Sequence, residues 1–62
     1  MSQKSSARER IIDAAEQVVL DEGASHMTMD AVAAKAGVSK GGLIYHFPSL
    51  RDLLLAMLQR FS

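Results

Sequence analysis

Seven residues between positions 28 and 46 carry the side chains and backbone best suited to chemistry with a partner: Thr28, Ser39, Lys40, Gly41, Gly42, Tyr45 and His46. The set offers two small hydroxyls, one cation, a phenol, an imidazole and two adjacent glycines. It contains no nucleophile poised beside a base. Hydroxyls and free N–H groups at helix N-termini hold anionic oxygens, an ammonium donates to phosphate or to guanine acceptors, and phenol and imidazole reach phosphates or base edges. Paired glycines let a surface approach the backbone closely.

Catalysis and metal binding find little support. There is no cysteine, which removes thiolate chemistry and disulfides and makes the cytoplasm the expected compartment. No Ser/His/acid set with a plausible pocket stands out, and a core this small offers little cavity. His26 and His46 would need two further ligands at workable spacing to hold a metal, and none is present. His26 is expected to be a loop residue. No cofactor, metal or enzymatic activity is expected.

These residues need helices to position them. Sixty-two residues make one small domain, burying only about 60% of the surface that the unfolded chain exposes. Ser6 with Glu9 three positions on is a capping box, and Ile11, Ala14, Ala15, Val18 and Val19 follow at helical spacing. Gly23 is expected to end this first helix as a left-handed cap. Ile12 and Leu20 fall off its stripe. Ala24 to Met27 is a short connection. Thr28 caps a second helix, with Asp30 in its first turn suiting the dipole, and its inner stripe is Met29, Val32, Ala33 and Ala36. Gly37 breaks it, and Val38 plugs the angle to the next helix.

Ser39 caps the third helix, whose Leu43 and Phe47 point inward, so that Lys40, Gly41, Gly42, Tyr45 and His46 face elsewhere. Gly41 and Gly42 cost up to about 1 kcal/mol each against alanine, a local inconsistency expected at a functional surface. Pro48 stops this helix. Ser49 and Asp52 open a fourth, with an apolar stripe of Leu50, Leu53, Leu54, Met57, Leu58 and Phe61, widened by Leu55 and Ala56. That is more apolar surface than the other helices cover. The fourth helix therefore reads as cut short, its surplus face belonging to a partner or to a missing domain.

Charge is segregated, although the net charge is zero. Lys4, Arg8 and Arg10 against Glu9 make residues 1–10 basic. Residues 11–30 hold five acids and no Lys or Arg, and residues 31–62 hold four bases against Asp52. A basic side facing nucleic acid is permitted but not demanded. Lys4, Arg8 and Arg10 read either as a basic arm or as solubilising charge, and residues 1–5 as a flexible arm. No apolar run is long enough to span a membrane.

The small residue Ala33, the turn glycine Gly37 and the apolar anchor Leu43 have the spacing of a helix-turn-helix. In that motif the second helix enters the DNA major groove. Around them lie Ile11, Ala14, Ala15 and Gly23, then Thr28, Val32, Ala36-Gly37-Val38-Ser39 and Lys40-Gly41. The run Tyr45-His46-Phe47-Pro48-Ser49 with Leu53-Leu54 completes the pattern. In this combination the chain resembles the N-terminal domain of the tetracycline-repressor (TetR) family of bacterial transcriptional regulators, over about residues 7 to 61.

The resemblance implies an all-α fold: a three-helix bundle with a homeodomain-like helix-turn-helix, plus the start of a fourth, linking helix at 49–62. It implies sequence-specific binding of double-stranded DNA at a palindromic operator, with repression the expected sense. The DNA-binding set would be Thr28, Ser39, Lys40, Gly41, Gly42, Tyr45 and His46. Family members usually continue into a C-terminal domain that binds effectors and dimerises. Residues 1–62 are thus expected to lack that domain, to bind no small-molecule effector, and to belong to a homodimer. Two positions depart from the pattern. Ile44 stands where many members have a tyrosine that contacts phosphate, and Leu50 where members usually have a lysine that grips the backbone. Tyr45 and Arg51 are the available substitutes. The competing reading, from a different class, is a helical protein-interaction module using the leucine-rich face of the fourth helix.

Overall fold

The first helix is where the packing begins, because it touches most of the others. A computed structural model describes residues 6–61; the expected arm at residues 1–5 lies outside the described residues. All the regular structure among them is helical. α1 spans Ala7–Glu22 and α2 spans Met29–Ala36, with a single 3-10 turn, Ala24–His26, between them; α3 spans Lys40–His46 and α4 spans Leu50–Arg60. α1 packs on both α2 and α4, and α2 packs on α3. This is the expected all-α bundle, with the α2–α3 pair crossing through the turn at Gly37.

Each helix starts where a hydroxyl can satisfy a first-turn N–H group. Ser6 accepts from Glu9 N at 3.1 Å, Thr28 from Ala31 N at 3.1 Å, Ser39 from Gly42 N at 3.0 Å and Ser49 from Asp52 N at 3.3 Å. The Ser49 hydroxyl in turn donates to the Asp52 carboxylate at 3.1 Å. At the start of α1 the reciprocal half of the box is replaced, since the Glu9 carboxylate turns to Arg60 on α4.

The two positive-φ glycines end their helices differently. Gly37, at φ 74°, ψ 31°, is left-handed. Its N–H donates to Ala33 and Ala34 carbonyls, and Val38 N donates to Ala33 O at 3.1 Å, which together make a Schellman motif. Gly23 departs from the expected left-handed cap. At φ 95°, ψ 154° it is extended with positive φ, a region open essentially to glycine alone, and it leads the chain straight into the 3-10 turn.

The core holds the expected inner faces: Ile11, Ala14, Ala15 and Val18 from α1, Val32 and Ala33 from α2, and Leu43 and Phe47 from α3 and its end. Leu53 and Ala56 come from α4. Ile12 and Met27, which no stripe predicts, are buried as well, while Leu20 is exposed. On α4 the inward line is narrower than the sequence stripe. Leu50 and Met57 are partly buried against the core, whereas Leu54, Leu55, Leu58 and Phe61 are exposed.

An ionic clamp ties α4 to α1. The Arg60 guanidinium donates to Asp13 Oδ1 at 2.6 Å and to Glu9 Oε1 at 2.7 Å, and lies 3.2 Å from Glu16 Oε2. Asp13 first, then Glu9, holds the guanidinium even further above its ordinary range, against a smaller desolvation effect. Arg60 therefore stays charged at any working pH. Exposed ion pairs contribute about 0.2–1 kcal/mol each, so Arg60→Gln is expected to destabilise the fold by roughly 1 kcal/mol. Thermal melts should show the deficit at low salt and a smaller one in 1 M salt, where the Debye length falls to about 3 Å.

Candidate nucleic-acid interface

The seven candidate residues occupy the start of α2 and the outer side of α3. Thr28 and Ser39 are the N-caps of those helices, both exposed. Lys40 opens α3, and its ammonium lies 3.2 Å from Asp30 Oδ1 in the first turn of α2. That pair bridges the two N-terminal turns. Tyr45 is 82% exposed, and its ring meets that of His46 edge-on, with centroids 5.1 Å apart and planes at 86°. Leu43 and Phe47, both buried, fix which side of α3 is left for these residues.

The two glycines differ in their internal roles. A Cβ on Gly42 would sit 3.2 Å from Ser39 Oγ, a tight contact with the capping hydroxyl. A Cβ on Gly41 would meet nothing within 4 Å, so the fold gives no reason for glycine at that position. Gly41→Ala is therefore expected to stabilise the isolated protein by about 0.5–1 kcal/mol, read as a raised Tm. If a duplex approaches the backbone at Gly41, the same change should weaken DNA binding, read by titration.

The cations are more committed than their sequence positions suggest. Arg10, a candidate for a basic arm, donates instead to Ala36 O at 3.2 Å and so satisfies the C-terminal end of α2. Arg8 lies 5.4 Å from the centroid of the Phe47 ring and 3.9 Å from Glu9. Lys35 is 3.5 Å from Asp21. Arg51, in the first turn of α4, makes no ion pair among the described residues. Of the two departures from the family pattern, Leu50 packs against the core and Ile44 is 42% exposed. His26 lies in the 3-10 turn, its Nδ1 2.9 Å from Glu22 O. Among the described residues no cluster of three His, Cys, Asp or Glu has the arrangement of a metal site, and no helix is long and apolar enough to cross a membrane.

With this geometry in place, comparison with known proteins decides the family. Residues 11–57 match the bacterial regulatory proteins of the tetR family. The chain belongs to the TetR family. Its relatives include the HTH-type transcriptional regulator SrpR of Pseudomonas putida, 45% identical over 51 residues that cover 82% of this chain and 24% of SrpR. The HTH-type transcriptional repressor BepR of Brucella suis biovar 1 is 38% identical over 53 residues, 86% of this chain and 25% of BepR. The HTH-type transcriptional activator FasR of Mycolicibacterium smegmatis is 45% identical over 53 residues, 86% of this chain and 24% of FasR. This TetR-family chain thus spans about a quarter of the length of each of these three. No solved structure gives a significant match to it.

The interactions that sequence reading misses at this surface are Lys40 with Asp30 and Arg10 with Ala36. Asp30 reads from sequence only as a partner for the α2 dipole. Its approach to Lys40, ten positions later, depends on the crossing angle at Gly37, which no periodicity encodes.

Proposed function

We propose that this TetR-family domain binds double-stranded DNA sequence-specifically, with α3 in the major groove, as the reading head of a transcriptional regulator. The observation that carries this reading is the exposed face of α3. It combines Lys40, Tyr45 and His46 with a Gly41 whose missing side chain serves nothing inside the protein. Lys40 and His46 supply donors for base edges and phosphates, and Tyr45 a phenol for phosphate. Thr28 and Ser39 bring hydroxyls to the ends of their helices, where first-turn N–H groups also point outward. Gly41 and Gly42 let the backbone approach the duplex. Arg51, which pairs with no acid among the described residues, is the available substitute for the backbone grip that Leu50 cannot make.

The relatives are longer regulators, and we place this domain at the head of a similarly long, cytoplasmic, non-enzymatic protein. The exposed apolar residues of α4 suit cover by the remainder of such a polypeptide, which would also supply dimerisation and an effector site. A dimer would set two α3 helices on half-sites of a palindromic operator about 34 Å apart. Repression is the sense proposed, because it requires only occupancy of the operator.

Selection from a randomised duplex pool tests the function. Enrichment of one sequence class is the expected result. A single reading head offers few cations to a duplex, so the binding of the 62-residue chain should be weak and should fall steeply with salt. A pool returned unenriched, with capture of protein partners sensitive to Leu54 and Leu58 but indifferent to Lys40, would favour the interaction-module reading instead.

A further inference from the structure

Lys40 is the sole Lys or Arg of α3, and it does not stand free. Its ammonium is 3.2 Å from Asp30 Oδ1, with side chains 56% and 78% exposed. The acid comes from a different helix, so the pair exists only when α2 and α3 cross as they do here. An exposed pair of this kind is worth at most about a fivefold change in equilibrium, weak enough to be exchanged for another anion. An ammonium has three donors. One engaged by Asp30 leaves two for acceptors on a surface beyond it.

We propose that Asp30 is a specificity-determining residue for DNA reading. It occupies Lys40 as an internal anion, lowering generic attraction to phosphate while leaving donors for a base edge such as guanine O6 and N7. This rests on the reading of α3 as the DNA-facing helix. A phosphate must displace Asp30 or share the ammonium with it, and the gain is small because one anion replaces another. A base acceptor in register needs no such displacement. The carboxylate therefore costs more affinity on a random duplex than on the right one.

The test is a mutant cycle of parent, Asp30→Asn, Lys40→Ala and the double variant. Each is titrated against a random-sequence 20-bp duplex and against a duplex selected by the parent, from 50 to 200 mM salt. Asp30→Asn is expected to tighten random-duplex binding about three- to fivefold and to lower the selected-to-random ratio. It should also steepen the slope of log K against log salt by about 0.9, the release of one more counterion. In the Lys40→Ala background the gain should vanish. Asp30→Ser, equally uncharged, should behave like Asp30→Asn, and thermal melts of both variants separate the effect from any loss of α2 stability. An equal gain with and without Lys40 would mean plain repulsion between Asp30 and phosphate, and would overturn the proposal. So would an unchanged slope for Asp30→Asn while Lys40→Ala still weakens binding. If Lys40→Ala left binding to both duplexes intact, the assignment of α3 itself would fall.

Discussion

Replacing Lys40 and Tyr45 together by alanine is expected to weaken binding to a selected duplex by about thirtyfold, while the helical content and Tm stay close to those of the parent. A specific side-chain contact to DNA is worth about 1–3 kcal/mol. Two contacts at the lower end of that range come to roughly 2 kcal/mol, which is the thirtyfold effect. Stability is spared because both residues are exposed, and an exposed ion pair contributes little. Fluorescence-anisotropy titration beside a thermal melt checks both halves of the expectation. Equal affinity for parent and double variant would remove these residues from the interface.

The largest effect on stability is expected from Leu43→Ala. Leu43 is fully buried and joins α3 to the rest of the core, so truncation should cost about 2–5 kcal/mol. A domain of this length has a total stability of roughly 3–9 kcal/mol, so the change removes a large share of the folding free energy and should lower the urea midpoint accordingly. Leu20→Ala is the matched control. Leu20 is 78% exposed, and its truncation should move stability by no more than about 0.5 kcal/mol. Urea denaturation of the two variants reads the contrast directly. Comparable losses would mean that Leu43 is not the anchor its burial indicates.

What was legible in the sequence was local. Ser6, Thr28, Ser39 and Ser49 each cap a helix three residues before the N–H they accept, a relation written in adjacent letters. Gly37 sits in the left-handed region, and Leu43 and Phe47 are buried, as a four-residue spacing on a short helix requires. The exposure of Lys40, Tyr45 and His46 follows from the same geometry.

What was not legible is non-local. Arg60 reaches Asp13 and Glu9 across 47 and 51 positions, and Arg10 reaches Ala36 across 26; neither spacing has a period that could announce it. Ile12 is buried although it lies off the stripe of its own helix, because α1 is covered on two sides, by α2 and by α4. Met27 is buried because the 3-10 turn, entered through the positive φ at Gly23, returns the chain to the core. The apolar width of α4, by contrast, was legible: its stripe holds more apolar surface than the other helices cover, and Leu54, Leu58 and Phe61 remain exposed.

The central claim is that the duplex meets the first turn of α2 and the outer face of α3. It is tested most directly by following backbone amide resonances of the 15N-labelled chain during titration with a duplex selected from a randomised pool. The account predicts the largest shifts at Thr28, at Ser39 to Gly42, at Tyr45 and His46, and at Arg51, with little change along the exposed apolar side of α4. Shifts concentrated at Leu54, Leu58 and Phe61, with Ser39 to His46 unmoved, would contradict it.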